Sequence, residues 1–347
     1  MSGSKPMWTE GLFLTPQHLQ ALDDYHERLV EQRVGAIAPH LWGVADLEID
    51  GDELARGMVQ ISRMTAVMPD GMLLSVGSQA EIGALSTQVA RSSVRGGRPI
   101  EVYVAVPDRR ATGAGSADGS GGGGTRFVEG SRVVPDAYGQ AEDADIACVR
   151  PNAQVMLGND RLTGYVALKV AELVVSDGGR LGLSPRFIPP CLRVRVSETV
   201  MQKLSRVVAA LAEKQKVLVG KYGDRAAAMV EFGAADVATF WYLHTVNTWL
   251  PMFMHHAESG EVHPEQLYLA LSSFVGQLST FEAQSDPLDL PKFRFDALGD
   301  SLLPLFDRIL ALLGSVVSSR YTQIPLDQTQ PGLFVGQVDD PSLLTRR

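Results

Sequence analysis

The sequence predicts an α+β protein in which a β-rich half precedes a helical half. Between about residues 41 and 190 the apolar residues tend towards the two-residue period of strands, and turn residues separate the runs. After Pro189 and Pro190 they recur every three or four positions, as they do on helices. The length of 347 residues fits about two domains of ordinary size.

An amphipathic helix is expected first, over about residues 15–37. Thr15 can cap it, and Pro16 suits its first position because the amide hydrogen that proline lacks has no partner there. Leucine and valine residues follow on one face, charged residues occupy the other, and Pro39 ends the pattern. Together with the strands that follow, this helix gives a predicted β-rich domain over residues 1–192.

Many short strands are expected in this domain, which is typical of an antiparallel sandwich or barrel. A hairpin turn is indicated at Met68-Pro69-Asp70-Gly71-Met72. The low-complexity segment 111–125 is rich in glycine and is interpreted as a flexible loop that joins two strands. The remaining strand candidates are Ile100–Val106, Arg126–Val134, Asp145–Val149, Gln154–Leu157, Tyr165–Val175 and Leu181–Ile188.

Residues 193–321 are predicted to form four helices with coiled-coil-like seams. The last helix carries a second, adjacent apolar stripe, so it needs two partners. Both can come from one four-helix bundle or from a bundle across subunits, and we expect a mixture, with Lys214 and Asn247 helping to set the register. The candidate seam residues are Leu204, Leu211, Leu298, Leu302, Leu305, Ile309, Leu312 and Val316.

The charge and the cysteines exclude several classes of protein. The net charge of −9 disfavours a general binder of nucleic acid or anionic membranes, which needs a positive field. Cys148 and Cys191 stand far apart and form neither a disulfide framework nor a zinc pattern, so both are expected to be buried thiols. The sequence shows no apolar run long enough for a membrane span and no signal peptide, which favours a cytoplasmic protein.

Motifs for chemistry are also missing, and we predict no catalytic, metal or cofactor site. The glycines of the 111–125 segment do not have the spacing of a dinucleotide-binding turn. The cluster of His255, His256, Glu258 and His263 lacks the HExxH spacing of a helical zinc site and is interpreted as a polar helix end. An enzyme with an unrecognised site is the weakest of the functional hypotheses.

The N-terminal run WTEGLFLTPQHLQ, residues 8–20, resembles the opening of the type VI secretion baseplate subunits called TssK, ImpJ or VasE. The family pattern is W-x-E-G-x-F-L-x-P-Q-H-F-Q, and Leu19 stands here in place of the usual Phe. The similarity continues at Leu41-Trp42-Gly43-Val44 and again at Met68-Pro69-Asp70-Gly71.

The resemblance implies a homotrimer with a β-rich shoulder, a helical neck and a C-terminal head. The shoulder would bind the TssF–TssG wedge, and the head would contact TssL and TssM, linking the baseplate to the TssJLM membrane complex at the inner face of the envelope. No nucleic acid and no membrane insertion are implied. The candidates for wedge binding or for shoulder folding are Trp8, Glu10, Gly11, Phe13, Pro16, Gln17, His18 and Gln20.

Residues 322–347 are interpreted as the beginning of the head, with strand-sized pieces such as Leu333–Val335 that have no visible partner. Because members of the family continue further, we expect this chain to lack most of the head, as a fragment or as a natural short member. Binding to TssL and TssM is then in doubt. The alternative function is a phage-type receptor-binding or tail adaptor protein of the same architecture.

Overall fold

The computed structural model has an α+β fold, as the sequence predicts, with strands in the N-terminal half and helices in the C-terminal half. It describes residues 4–78, 80, 82–89, 99–109, 124–139, 142–158, 160–175, 180–227, 234–282, 286–314, 327–330 and 332–335. Most of the glycine-rich segment 111–125 therefore lies outside the described residues, as do the seam candidate Val316 and most of the segment 322–347.

Helix α1 spans Pro16–Ile37 and follows a short N-terminal segment, residues 4–15, called the lead. Thr15 is its N-cap and proline occupies its first turn, as the sequence indicates. None of its residues is buried within this chain. A helix of this length obtains most of its stability from packing, so its exposure leaves a large surface for further contacts.

The first sheet contains β1 (Gly43–Ile49), β2 (Met58–Val67), β3 (Leu73–Val76) and β4 (Leu85–Gln88). All its pairs are antiparallel, and β2 lies against each of the other three strands. The predicted turn joins β2 to β3, and Gly71 has φ +83°, a conformation that glycine adopts without strain. A short helix, α2 (Gly51–Ala55), begins where the Asp50 carboxylate accepts two backbone N–H groups.

The second sheet has the antiparallel order β10-β9-β5-β8. Its strands are β5 (Ile100–Pro107), β8 (Gln154–Leu157), β9 (Tyr165–Val175) and β10 (Leu181–Leu183). Between β5 and β8 the chain forms a two-stranded hairpin of β6 (Phe127–Val134) and β7 (Ala144–Pro151). Most side chains of this hairpin are exposed, and they include Cys148. The expectation of two buried thiols is therefore wrong for Cys148, because a hairpin without a covering layer has no interior.

Four long helices follow: α3 (Glu198–Ala227), α4 (Ala234–Ser259), α5 (Pro264–Ser279) and α6 (Leu298–Gly314). Helix α3 packs against α4 and α6, and α5 packs against α6. Six candidate seam residues are fully buried among these helices of the same chain, and Leu312 is partly buried. The six are Leu204, Leu211, Leu298, Leu302, Leu305 and Ile309.

The two halves share one hydrophobic core, and the segment before α3 packs closely on β1. A Cβ on Gly43 would lie 2.5 Å from the Pro190 carbonyl oxygen, and φ at Gly43 is +117°. The His263 side chain caps α5 by accepting the Glu265 N–H through Nδ1, and its Nε2 lies 2.9 Å from the His40 carbonyl oxygen. The imidazole thus ties the start of α5 to the segment between α1 and β1.

After α6, strand β11 (Asp327–Gln330) pairs with β12 (Leu333–Val335) as an antiparallel hairpin. The expectation that Leu333–Val335 has no partner is therefore wrong. Its partner, Asp327–Gln330, is polar and does not show the apolar alternation by which strands are recognised.

Candidate interaction surfaces

The N-terminal lead folds into a defined turn just before α1. The Leu12 N–H donates to the Thr9 carbonyl oxygen at 3.2 Å, and Gly11 between them has φ +78°. A turn of this type requires a residue with positive φ at its third position, which favours glycine. Gly11 therefore shapes the lead.

His18 supports the start of α1. The Thr15 N–H donates to its Nδ1 at 3.2 Å, and the Thr15 hydroxyl oxygen lies 2.9 Å from the same nitrogen. The imidazole thus takes the reciprocal role that glutamate or glutamine has in a capping box. The Trp8 ring lies over this end of the helix, with its centroid 6.4 Å from that of His18.

The structure brings the candidate residues of the lead together at one end of α1. Trp8 is 48% exposed and Phe13 is 85% exposed. Pro16 lies in the first helical turn, and Glu10, Gln17 and Gln20 are exposed. The lead therefore presents aromatic rings on a turn shaped by Gly11 and on a helix start fixed by His18.

A groove of about 1190 Å³ runs beside the second half of α1. Val30 and Val34 line it from the helix, the β2–β3 turn also lines it, and the hairpin contributes Phe127 and Val149. The groove is not evident from the sequence, because the segments that line it lie far apart in the chain. The one local signal was the apolar face of α1, which needs a partner.

Two arginines fix the walls of the groove. Arg109 pairs with Asp24 and lies 2.8 Å from the Glu27 carboxylate, so it holds α1 beside the end of β5. The Arg126 side chain, 3% exposed, reaches the Asp70 carboxylate at 2.6 Å and the Pro107 carbonyl oxygen at 2.9 Å. This buried ion pair joins the β2–β3 turn to the base of the hairpin.

A third charged cluster lies on the second sheet. Lys169 contacts the carboxylates of Glu101 and Glu172 at 2.6 and 2.7 Å. The hydrogen bond from Lys169 lowers the pKa of Glu101. Both carboxylates are satisfied by one lysine on adjacent strands, so the cluster is explained by sheet packing.

The remaining titratable groups do not form a reaction centre among the residues that the structure describes. No set of three His, Cys, Asp or Glu side chains there is placed to hold a metal. Burial, with a smaller effect of His255, lowers the pKa of His256. Burial raises the pKa of the Cys191 thiol to about 12, so it is a poor nucleophile. None of the helices described is long and apolar enough to cross a membrane.

Comparison with known proteins gives consistent matches. The family model for bacterial type VI secretion proteins, described as "VC_A0110, EvfL, ImpJ, VasE", matches residues 18–347. The type VI secretion system baseplate component TssK1 of Pseudomonas aeruginosa is 28% identical over 345 residues, which cover 98% of this chain and 76% of that protein.

Solved structures of baseplate assemblies contain the same fold. A chain in a structure of the type VI baseplate complex superposes with a TM-score of 0.81 at 25% identity, covering 99% of this chain and 77% of that one. A chain in the TssK–TssF–TssG baseplate subcomplex superposes with a TM-score of 0.74 at 23% identity, covering 90% of this chain and 99% of that one.

Proposed function

Because the chain belongs to the bacterial type VI secretion family that includes ImpJ and VasE, we propose that it is a structural adaptor of the type VI baseplate. The observation that carries the proposal is the similarity over 98% of its length to a protein named as a baseplate component. We assign no catalytic step to it.

The proposed functions are assigned separately to the two halves of the fold. Residues 1–192 form the shoulder, residues 193–321 form the neck, and residues 322–347 begin a head. The shoulder binds the TssF–TssG wedge, and the neck helps to hold three copies together. Support for wedge binding comes from the solved TssK–TssF–TssG subcomplex, which contains a chain with the same fold as this one.

The proposed wedge-contacting surface is the N-terminal lead together with the groove beside α1. Trp8 and Phe13 expose large rings, and aromatic side chains in interface pockets often contribute about 2 kcal/mol or more to binding. The groove adds an apolar surface that α1, with no buried residue, leaves open. Gly11, Pro16 and His18 act by shaping this surface, whereas Glu10, Gln17 and Gln20 provide polar atoms at its rim.

The resemblance assigns contact with TssL and TssM to a head beyond the neck. The described residues after Gly314 amount to the hairpin of β11 and β12. We therefore assign no contact with the membrane complex to the surfaces described above.

Capture of the wedge tests the proposal. The tagged chain is expected to retain TssF and TssG from the same bacterium, and the double change Trp8→Ala and Phe13→Ala should reduce capture at least tenfold. Leu288→Ala is the matched control, because Leu288 is 90% exposed and lies in the loop before α6, far along the chain from the lead. Equal capture by all three proteins would contradict a role for the lead, and failure of the unmodified chain would contradict wedge binding itself.

A further inference from the structure

The β6–β7 hairpin is a sheet of two strands, and no third strand pairs with it among the described residues. Its pairing runs without a bulge from Phe127 opposite Pro151 to Val134 opposite Ala144, so its side chains fall on two defined faces. A hairpin of two strands is at best marginally stable in water and needs a further layer packed on it. Because most of its side chains are exposed in this chain, the hairpin points to a partner.

The two faces of the hairpin carry opposite charges. The first face contains Phe127 and lines the groove beside α1, and its two charged residues are Glu129 and Asp145. The second face lies on the other side of the hairpin, and its two charged residues are Arg132 and Arg150. Since the chain as a whole has a net charge of −9, the second face is a local positive surface on an acidic protein.

The second face is called here the arginine face, and its residues are Val128, Gly130, Arg132, Val134, Ala144, Ile146, Cys148 and Arg150. Neither of its arginines has an ion-pair or hydrogen-bond partner among the residues that the structure describes, whereas other exposed arginines, such as Arg63 and Arg193, are paired with carboxylates. Both guanidinium groups are therefore available to carboxylates of a partner, which they bind through charge-assisted hydrogen bonds.

The centre of the arginine face is a depression. Gly130 lies there opposite Cys148, between the two cross-strand pairs that carry the arginines. A Cβ on Gly130 would meet one atom within 4 Å, the Cys148 Sγ, at 3.7 Å. A glycine inside a strand often marks a place where another backbone approaches closely. The face thus has room for a second chain between two positive charges.

The spacing of the arginines indicates which kind of chain fits. Arg132 lies on β6, and Arg150 lies opposite Val128, four positions along the same strand. Four positions on a strand cover about 13 Å. In an extended segment, residues i, i+2 and i+4 share one face and cover the same distance, so two carboxylates with an apolar residue between them match the arginines and the depression. A helix needs about nine residues for that distance, and its side chains would hold its backbone away from Gly130.

We propose that the arginine face binds an extended acidic segment of a partner protein, with the pattern E-x-Φ-x-E, in which Φ is an apolar residue and Asp can replace Glu. The carboxylates pair with Arg132 and Arg150, and the apolar side chain lies over Gly130 and Cys148. This contact goes beyond the proposed function, whose surfaces are the lead and the groove on the other side of the hairpin. A protein segment fits better than a polyanion, because the net charge of −9 repels nucleic acid and anionic membranes, and phosphates gain nothing from an apolar centre.

Two peptides of equal length test the charges by fluorescence anisotropy with the full chain. GETVTEG carries the proposed pattern, and GKTVTKG has lysines in place of its two glutamates. GETVTEG should bind at least tenfold more tightly, and the double variant Arg132→Glu and Arg150→Glu should reverse this preference. The matched control is Arg161→Glu with Arg186→Glu, which changes the net charge equally at two exposed arginines outside the hairpin and should keep the preference.

Two glycines test the depression without changing a charge. Gly130→Val fills the depression and should weaken binding of GETVTEG at least tenfold. Gly182→Val is the control, because Gly182 also lies in a strand and its new Cβ would meet no atom within 4 Å, so binding should be unchanged. Valine favours strands, so both variants should keep the circular dichroism of the unmodified chain. Bound GETVTEG should also slow the reaction of Cys148 with a maleimide.

Three results would overturn the proposal. The first is no binding of GETVTEG at millimolar concentration, or equal binding of the two peptides. The second is tighter binding of a single-stranded oligothymidine that the Arg132 and Arg150 reversal abolishes, since the face would then bind phosphates. The third is a lower mass of Gly130→Val than of the unmodified chain in light scattering, since another copy of this chain would then cover the face.

Discussion

Replacement of Asp70 by alanine should destabilise the β-rich half strongly, because it leaves the guanidinium of Arg126 without its carboxylate. The Arg126 side chain is 3% exposed, so water can replace the lost carboxylate only in part, whereas its bond to the Pro107 carbonyl oxygen at 2.9 Å persists. Removing one member of a buried ion pair costs about 3–5 kcal/mol. The value should lie near the lower limit, since Asp70 is 23% exposed and its charge is partly solvated.

Thermal unfolding of the purified chain measures this effect. A loss of about 3 kcal/mol corresponds to a fall in Tm of roughly 6–12 °C for a domain of 150–250 residues. Asp46→Ala is the control, because Asp46 pairs with Arg63 at 3.3 Å on an exposed surface, where ion pairs contribute at most about 1 kcal/mol. Equal shifts for the two variants would refute the reasoning that burial of Arg126 makes its partner necessary.

The double variant with Arg126→Met separates the ion pair from the turn. Without the buried guanidinium, loss of the Asp70 carboxylate should cost less than it does in the unmodified chain. The difference between the two costs is the coupling free energy of the pair. If Asp70→Ala costs the same in both backgrounds, Asp70 acts through the β2–β3 turn alone.

Three further predictions concern single sites. A maleimide reagent should label Cys148 within minutes in the folded protein and Cys191 only on unfolding, because Cys148 is exposed and the Cys191 thiol is buried with a pKa of about 12; equal labelling rates would contradict that assignment. Gly299→Ala should destabilise the protein by about 1–3 kcal/mol in chemical unfolding, since the new Cβ would lie 2.1 Å from the Arg186 carbonyl oxygen. Gly276→Ala is the control: its new Cβ would have no atom within 4 Å, so it should stabilise α5 by up to about 1 kcal/mol. The pKa of Glu101 is lower in the folded protein than in the unfolded chain, so the unfolded chain binds the proton more readily. The stabilisation by ionised Glu101 is therefore present above about pH 4.5 and is lost as the pH falls below that value towards the lowered pKa. Glu101→Gln should reduce the dependence of the unfolding free energy on pH in this range, measured by urea unfolding, and an unchanged slope would contradict it.

The sequence predicted the elements whose patterns are long and regular. Helix α1, strand β5 and the four helices of the C-terminal half each show one period over many residues, and that period is set by which face is buried. Helix α2 and strand β4 were missed, because both are short and carry few apolar residues. Strand β1 was missed because register shifts at Val44/Asp46 and Glu48/Ile49 interrupt its alternation.

The candidate surfaces were harder to predict, for physical reasons. The groove beside α1 is assembled from α1, the β2–β3 turn and the β6–β7 hairpin, which long-range ion pairs of Arg109 and Arg126 hold in place. Such pairs join residues that lie far apart in the sequence. The lead was recognised through its similarity to a family, whereas the separate roles of Gly11 and Phe13 required the backbone angle and the exposure that the structure provides.

Light scattering of the purified chain mixed with TssF and TssG from the same bacterium tests the central claim most directly. We expect a complex that elutes earlier than its components and contains three copies of this chain at each position where it binds the wedge. Elution of the chain apart from both wedge proteins, at micromolar concentrations and physiological salt, would contradict the assignment of this chain as a baseplate adaptor.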